Sequence, residues 1–418
     1  MKRVSIIGAG WAGLTAAVAA CRKGLEVDLY EATPSLGGRA RALTQSYAGQ
    51  LLDNGQHILI GAYRASLELM RHVGLDPDHL LMRQPLDLRV ANGHGLQLPD
   101  WPAPWHVLTG VTRAQGWSLN DKWRLLRASL QWQAHAFKCP SDWSVAQLCE
   151  QHGLTPRVVA QLIEPLCLSA LNTAMHEASA SVFLRVTRDA LMDGRGSSDV
   201  LLPRVDLGAL LPGACLAWLQ QHGARVHTGC RVTTHDLQHS MWATSSSHPL
   251  IVATPPWEAA RLLASHQPDW ARQAANLTHR AIATVYLQCH DAGFAGLPRP
   301  MMALHASATR PAQFVFCRTQ LTNQPGLLAA VVSVCTQDRS TLSLQVQQQV
   351  QEQLGLRELS VVQTVIEKRA TLACTPRLER PPCAVSEHVW ACGDYVQGPY
   401  PSTLEGAVRS ALQVVDQI

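Results

Sequence analysis

The stretch "VSIIGAGWAGLTAAVAACRKG", residues Val4–Gly24, decides the fold predicted for this chain. Its glycines Gly8, Gly10 and Gly13 form the pattern G-x-G-x-x-G directly after a β-branched run, and small residues typical of a helix follow. The next residues, "LEVDLYE", predict a second strand that ends at Glu31. A strand, a glycine turn, a helix, a strand and an acidic residue within about thirty residues is the dinucleotide-binding arrangement.

Each part of this arrangement has a physical task. Gly8 permits the tight turn, Gly10 allows the backbone to approach a pyrophosphate, and Gly13 allows the helix to pack closely on the strand. The helix N-terminus presents unpaired N–H groups and a positive dipole end to phosphates. Glu31 is placed to accept hydrogen bonds from the adenosine ribose.

The same stretch has a competing interpretation as an export signal. Lys2 and Arg3 precede an apolar run that ends in Val-Ala-Ala-Cys at Cys21, as in exported, lipid-anchored proteins. Cleavage before Cys21 would remove the whole glycine loop, so we favour the nucleotide-binding interpretation.

Composition limits the remaining classes of function. The chain has 418 residues, a formal net charge of +4 and only 16% charged residues, so we expect no nucleic-acid partner. Its 12 cysteines form no C-x-x-C pair, which argues against a zinc or iron–sulfur site, and we expect no metal. Scattered cysteines are typical of buried residues in a reducing compartment, here the cytoplasm.

The nucleotide-binding pattern of strand, turn and helix recurs near residues 205–263 and at the C-terminal end. We therefore predict an α/β fold with a discontinuous nucleotide-binding domain formed by residues 1–75, 205–265 and 385–418. Residues 76–204 and 266–384 would form an inserted α+β substrate domain.

A helix is predicted from Asp121, after the proline- and tryptophan-rich residues 99–106. Its apolar positions repeat every three to four residues and predict one face that packs on the core; they are Trp123, Leu126, Leu130, Ala134 and Phe137. The alternative is a membrane-surface helix with a basic rim, supplied by Lys122, Arg124 and Arg127.

Motifs at the two ends of the chain indicate which dinucleotide is bound. Gly37–Arg39 spell G-G-R after the ribose acid, and the C-terminal G-D precedes a helix that starts near "STLEGA", residues 402–407. In this order the motifs resemble flavoproteins of the amine oxidase and phytoene desaturase superfamily. The resemblance implies a Rossmann-like domain that binds FAD, with the closing helix directed at the flavin.

Further blocks, "DNGQHILIGAY", "EPLCLSALNT", "EASASVFLRVTRDAL" and "LLPRVDLGALLP", resemble the hydroxysqualene dehydroxylase family of bacterial hopanoid pathways. Its members are also called squalene-associated FAD-dependent desaturases. The resemblance implies that reduced FAD donates hydride to convert hydroxysqualene to squalene. It also implies a cofactor site that places Arg39 by the pyrophosphate and Asp394 on the flavin chain, and that includes Gly38, Val232, Gly393, Thr403 and Leu404. The alternatives are a surface salt bridge for Arg39 and a helix cap for Asp394.

Loss of the substrate hydroxyl calls for a proton donor. His57 in "DNGQH" is the first candidate and Tyr400 in "GPYPST" the second, because both lie in motifs expected near the flavin. The alternative for His57 is a structural histidine, and Asp53 is expected to fix a loop. The sequence indicates no role for the distinctive Glu164 and Asn172 of the resemblance blocks.

Two rival functions remain open at this point: an isoprenoid desaturase or amine oxidase that takes hydride from its substrate, and a non-catalytic prenyl-lipid-binding protein. The chain carries no second glycine fingerprint followed by an acid, so we expect an external reductant for the flavin. An isoprenoid substrate favours loading from the inner face of the cytoplasmic membrane, through residues 99–106 and the helix from Asp121. Upstream enzymes of squalene synthesis are expected partners.

Overall fold

The computed structural model describes residues 2–47, 49–238 and 248–418. Residues 239–247, which belong to the predicted domain segment 205–265, lie outside the described residues. The strands are β1 (Arg3–Ile7), β2 (Glu26–Tyr30), β3 (Ala42–Tyr47), β4 (Gln50–Asp53), β5 (Leu59–Ile60), β6 (Leu81–Gln84), β7 (Val200–Pro203), β8 (Arg225–His227), β9 (Leu250–Val252), β10 (His279–Cys289), β11 (Met301–Ala303), β12 (Phe314–Cys317), β13 (Leu327–Ser333), β14 (Leu359–Leu372), β15 (Ala384–Ser386) and β16 (Val389–Ala391).

The helices alternate with these strands and predominate between β6 and β7. They are α1 (Trp11–Arg22), α2 (Arg64–His72), α3 (Pro77–Leu80), α4 (Trp105–Arg113), α5 (Leu119–Ala134), α6 (Val145–Gln151), α7 (Pro156–Val158), α8 (Glu164–Leu171), α9 (Ala180–Met192), α10 (Leu207–Leu210), α11 (Pro212–Gln221), α12 (Thr234–Gln238), α13 (Pro256–Leu263), α14 (Pro268–Ala275), α15 (Arg318–Thr322), α16 (Arg339–Leu354) and α17 (Leu404–Asp416).

The predicted nucleotide-binding fold is present. Among the described residues, a six-stranded sheet has the order β15-β16-β9-β1-β2-β8, and β1 pairs in parallel with both β2 and β9. Its strands come from the start, the middle and the end of the chain, as expected of a domain assembled from separate segments. Helices α1 and α17 pack together beside this sheet, so the first and last helices share one core.

The inserts form the second part of the molecule. In the described part of the chain, β11-β12-β13-β10-β14 form a five-stranded antiparallel sheet, and α16 packs on it. The short strand β7 lies between β5 and β6 and pairs antiparallel with both. This small sheet joins the residues after the "DNGQH" motif to the first residues of "LLPRVDLGALLP". The exact boundaries of the two domains remain a prediction.

Two local expectations are wrong. A proline inside a helical pattern predicts a break, yet the chain stays helical through Pro165, with a π-helical turn at Val159–Ile163 before α8. Proline has no N–H to donate, and a π turn re-spaces the hydrogen bonds around that missing donor.

The second correction concerns α5. Of the predicted core-facing stripe, Trp123 and Leu130 are 65% and 64% exposed, whereas Leu126 and Phe137 are partly buried against the core. The buried residues of α5 are instead Asp121, Leu125, Ala128 and Trp132.

Candidate functional site

The glycine loop between β1 and α1 has the close contacts that the motif predicts. Gly8 has φ +100°, and a Cβ there would lie 2.8 Å from the Ala253 oxygen. A Cβ on Gly13 would lie only 1.8 Å from the Gly8 oxygen. A Cβ on Gly10 would meet nothing closer than the Gly38 Cα at 3.9 Å. Gly8 and Gly13 are therefore fixed by the protein's own packing, whereas the space at Gly10 faces a second glycine turn.

The N-terminus of α1 is open to an anion. Gly10 is its N-cap residue and gives no side-chain cap, and the first turn contains no acidic residue. The first N–H groups of a helix have no intrahelical partner and carry the positive end of the dipole. A helix that starts on glycine without a capping side chain leaves these donors for a ligand, and a phosphate is the ligand that fits them.

The second glycine turn joins the first glycine loop to the C-terminal motif. Gly37 donates its N–H to the Ala9 oxygen at 2.9 Å, and Gly38 follows with φ +62°. Arg39 then pairs with Asp394, Nη2 to Oδ1, at 2.5 Å. The two motifs at the opposite ends of the sequence thus meet through this pair, in which the Asp394 carboxylate balances the charge of the guanidinium.

Glu31 ends β2 against this loop. Its Oε2 accepts from the Ala9 N–H at 2.8 Å, and its Oε1 accepts from the N–H and hydroxyl of Thr33. A carboxylate oxygen can accept two hydrogen bonds, so Oε2 retains capacity for a ribose hydroxyl. The Glu31 carbonyl accepts from the Cys230 N–H at 2.8 Å, which brings the segment containing buried Val232 alongside.

The start of α17 is built by the C-terminal motif. Thr403 caps it, with its hydroxyl accepting from the Gly406 N–H at 3.0 Å, and Leu404 is its first residue. Gly393 donates its N–H to the Ser410 hydroxyl at 2.9 Å, which ties the G-D turn to the same helix.

Glu405, which the sequence analysis did not single out, has a defined structural role. It is fully buried, and its carboxylate accepts from the N–H groups of Ala65 and Ser66 at the start of α2, and from Arg409. An acidic residue in the first turn of a helix ordinarily stabilises the N-terminus of that same helix. Here it caps a different helix, and the local sequence could not indicate this.

His57 lies in the loop between β4 and β5, half-buried. Burial lowers the pKa of its imidazole, and the charge of Arg39 lowers it further, although the Gly55 carbonyl acts in the opposite direction. Nδ1 lies 3.3 Å from that carbonyl oxygen. Since a carbonyl only accepts, Nδ1 carries the hydrogen and Nε2 of the neutral ring is an acceptor. This arrangement suits a structural histidine better than a proton donor.

Tyr400 lines a cleft in front of α17. Its hydroxyl donates to Asp189 Oδ2 at 2.9 Å, and Arg185 and Arg409 lie 5.5 and 5.2 Å from its ring centroid. Burial, and then the hydrogen bond to Asp189 and its charge, raise the pKa of the phenol. The cleft also has apolar walls, formed by Ile60, Ala170 and Val186. Sequence analysis missed Asp189 and Arg185, although both lie in the block "EASASVFLRVTRDAL" and their spacing of four indicates a helical ion pair.

Asp53 anchors the loop that carries His57. Its Oδ1 accepts from the Leu207 N–H at 2.8 Å and its Oδ2 from Arg318 at 2.9 Å, while its carbonyl accepts from the Tyr286 hydroxyl. Asp53 and Arg318 are each 1% exposed. The arrangement agrees with the expected structural role of Asp53.

Asn172 also has a structural explanation. It ends α8 in the left-handed conformation with φ 44°, which asparagine tolerates. Its side chain donates to Thr371 and accepts from the Val334 N–H, so it joins α8 to the five-stranded sheet. Glu164 is exposed at the start of the same helix, and nothing in the structure explains it.

These residues fit a dinucleotide with a pyrophosphate. The uncapped helix and the two facing glycine turns are suited to the phosphates, and Glu31 to a ribose. Asp394, which pairs with Arg39, is a second acidic side chain of the site, and it lies where the G-G-R and G-D motifs meet.

The model of the family described as flavin containing amine oxidoreductase matches residues 11–418. Hydroxysqualene dehydroxylase of Zymomonas mobilis is 25% identical over 440 residues, which cover 100% of this chain and 99% of that protein. The protein of the same name from Rhodopseudomonas palustris is 26% identical over 446 residues, which cover 100% and 98%. Zeta-carotene desaturase of Zea mays is 33% identical over 126 residues, or 29% of this chain and 22% of that protein.

Solved structures show the same fold. An oxidoreductase from Methanosarcina mazei is similar with a TM-score of 0.72 and 16% identity, over 99% of this chain and 100% of that one. Cyclohexylamine oxidase from Brevibacterium oxydans is similar with a TM-score of 0.68 and 15% identity, over 100% and 98%.

Proposed function

The chain belongs to the family of flavin containing amine oxidoreductases, and from this premise we propose that it is an FAD-dependent hydroxysqualene dehydroxylase that forms squalene. The observation that supports this reaction is the extent of the similarity. Proteins named hydroxysqualene dehydroxylase match the chain from end to end, whereas those named zeta-carotene desaturase match less than a third of it. The similarity to the dehydroxylases therefore extends over more of the chain than the similarity to the desaturases does.

FAD is the proposed flavin because the chain offers a site for an adenosine and a pyrophosphate. Gly10, Gly38 and the first turn of α1 would hold the phosphates, with Arg39 as their cation. Glu31 would hold the ribose, with the segment at Val232 beside it. Further contacts with the flavin chain and ring are proposed for the C-terminal motif; they are Gly393, Asp394, Thr403 and Leu404.

The proposed reaction replaces a carbon–oxygen bond by a carbon–hydrogen bond: the carbon gains a hydride, and the hydroxyl takes a proton and leaves as water. FAD bound in its reduced form supplies the hydride and is left oxidised. The chain's own task is to hold the apolar substrate, exclude water and deliver the proton.

We propose Tyr400 as the source of that proton. The phenol is protonated at neutral pH, as tyrosine ordinarily is, and it lies on a cleft whose other walls are largely apolar. Asp189, flanked by Arg185, holds the phenol in place. His57 has a lowered pKa and is neutral at the same pH, with its one hydrogen directed at Gly55. Each side chain directs its one hydrogen at a protein acceptor, Asp189 Oδ2 for Tyr400 and the Gly55 oxygen for His57, so the preference for Tyr400 rests on its position in the apolar cleft.

The test is product analysis with hydroxysqualene under anaerobic conditions and a chemically reduced flavin. We expect squalene to form in amounts that match the flavin oxidised. Tyr400→Phe should lower the rate by about 100-fold or more, the usual contribution of a general acid. His57→Ala should change it by less than about threefold, and both variants should retain flavin.

Other outcomes would replace the proposal. Reduction of oxidised enzyme by squalene or phytoene, with hydroxysqualene left unchanged by reduced enzyme, would establish the desaturase instead. A purified protein that binds prenyl lipid but no flavin would establish the non-catalytic alternative. A Tyr400→Phe variant within threefold of the unmodified enzyme would remove Tyr400 from the chemistry.

A further inference from the structure

Helix α5 has two apolar faces, and the protein covers one of them. The covered face includes Leu125 and Trp132. The opposite face includes Leu119, Trp123 and Leu130, which are 85%, 65% and 64% exposed. These three positions are spaced four and seven residues apart, so they lie on one stripe of the helix.

The neighbouring helix extends this apolar surface. On α4, which contacts α5, Trp105 and Leu108 are exposed, and Trp101 is exposed in the loop before it. Lys122 links the two helices by donating to the Thr112 oxygen at 2.7 Å. We name these six apolar residues the α4–α5 patch: Trp101, Trp105, Leu108, Leu119, Trp123 and Leu130. Patches of this kind mark interaction sites more often than isolated exposed residues do.

The charges around the patch are positive. Lys122 and Arg127 flank the α5 stripe, one on each side: with Leu119 at 0° and about 100° per residue, they lie at 300° and 80° around the helix. Arg113 lies over the Trp101 ring at 5.9 Å. The acidic residues within 99–138 are both occupied: Asp121 is buried in the α5 cap, and Asp100 pairs with Arg195. The surface thus combines exposed tryptophan and leucine with basic side chains at its edge.

We propose that the α4–α5 patch docks on the surface of an anionic lipid bilayer. Tryptophan and leucine insert at the boundary between headgroups and acyl chains, and lysine and arginine extend their charges toward anionic headgroups. A second copy of this chain would bring two basic rims together, so charge complementarity favours the lipid. No helix of the described residues is long and apolar enough to cross a membrane, so the contact is peripheral.

This docking does not depend on the proposed reaction, because it follows from exposure and charge alone. Vesicle binding can be measured without substrate, and the two proposals can therefore fail separately. If both hold, the patch is where an apolar substrate passes between the bilayer and the protein.

The experiment is flotation of the flavin-loaded protein with vesicles of phosphatidylcholine, with and without 30% phosphatidylglycerol. We expect flotation with the anionic vesicles, weakened by salt because exposed charges are screened. The double variant Trp105→Ser/Trp123→Ser should bind at least about tenfold more weakly, since two large apolar side chains no longer insert. Leu344→Ser is the matched control, because Leu344 is 68% exposed on α16, away from the patch, and should bind unchanged.

A second pair of variants tests the basic rim. Arg113→Gln/Arg127→Gln should lose the preference for phosphatidylglycerol, while Arg339→Gln on α16 should keep it. Brominated lipid should quench tryptophan emission of the unmodified protein and quench it less in the double tryptophan variant. Absence of flotation at low salt, or equal binding by the tryptophan variant and Leu344→Ser, would overturn the proposal. Equal binding to neutral and anionic vesicles would overturn its electrostatic part.

Discussion

Replacing Arg318 by methionine should destabilise the protein strongly, because it would leave the Asp53 carboxylate buried without its cation. Both side chains are 1% exposed, and Nη1 of Arg318 lies 2.9 Å from Oδ2 of Asp53. Removal of one partner of a buried ion pair costs about 3–5 kcal/mol, since the remaining charge is left uncompensated. The Leu207 N–H would still donate to Oδ1, and this single hydrogen bond cannot replace a unit charge.

The double variant Asp53→Asn/Arg318→Met separates this cost from the loss of packing. The side-chain oxygen of the substituted amide can still accept from Leu207, and the amide nitrogen can donate to Gln56, whose oxygen now lies 3.4 Å from Arg318 Nη1. With no buried charge left, the double variant should be more stable than Arg318→Met by at least about 1 kcal/mol. Non-additivity of this size is typical of residues in direct contact.

The assay is urea unfolding at one fixed, saturating FAD concentration, because a bound ligand shifts the apparent stability. Arg272→Met is the matched control: Arg272 pairs with Asp269 at 2.7 Å, but both are largely exposed, so the change should stay within about 0.5 kcal/mol. A loss below about 1 kcal/mol for Arg318→Met, or a double variant no more stable than this single one, would refute the reasoning.

Three further predictions concern the nucleotide-binding domain. Gly13→Ala should prevent accumulation of folded, flavin-loaded protein, since its Cβ would lie 1.8 Å from the Gly8 oxygen. Gly24→Ala is the control: no atom lies within 4 Å of the added Cβ, so its stability should fall only through the left-handed φ. Glu31→Ala should weaken FAD retention on dialysis by about 1.5–3 kcal/mol through loss of a charged acceptor, and unchanged retention would count against its ribose role. For Asp28, burial alone would raise the pKa, but Arg225, Arg3 and His227 outweigh it and lower the pKa. The Asp28 carboxylate therefore contributes its full stability above its unfolded pKa of about 4, and this contribution is lost as the pH falls through the lower folded pKa. Asp28→Asn should weaken the pH dependence of the unfolding midpoint between about pH 2 and pH 5.

Features set by neighbouring residues could be predicted from the sequence. The turn at Gly8, the helix after Gly10 and the strand before Glu31 depend on spacing within thirty residues, and the structure contains all three. The recurrence of the strand–turn–helix pattern at both ends of the chain predicts that the ends meet in one domain, but not which side chains pair there. The ion pair between Arg39 and Asp394 joins residues 355 positions apart, and no local pattern encodes it.

Partners from distant segments could not be predicted. Asp53 was expected to fix a loop, but its cation Arg318 lies 265 positions later in an ordinary-looking strand-to-helix junction. Tyr400 was a candidate donor without a partner, and Asp189 lies 211 positions earlier. In each case the sequence offered a polar residue with a plausible task, and only the packing of the two sheets and their helices decided which charge it would meet.

Helix α5 shows why periodicity alone was insufficient. Two stripes of the helix have helical spacing: the predicted one is exposed at Trp123 and Leu130, and the other one, with Leu125 and Trp132, is buried. The reason is Asp121: it closes a capping box with Ser118 and also accepts from the Thr155 hydroxyl at 2.6 Å, so the start of the helix is fixed with this polar residue facing inward. Burial of Leu125 and Trp132 follows from that anchor, because they lie on the same side. The sequence Ser-x-x-Asp at 118–121 carries the signal for the anchor, and it leaves Trp123 and Leu130 on the outside, where the proposed membrane contact needs them.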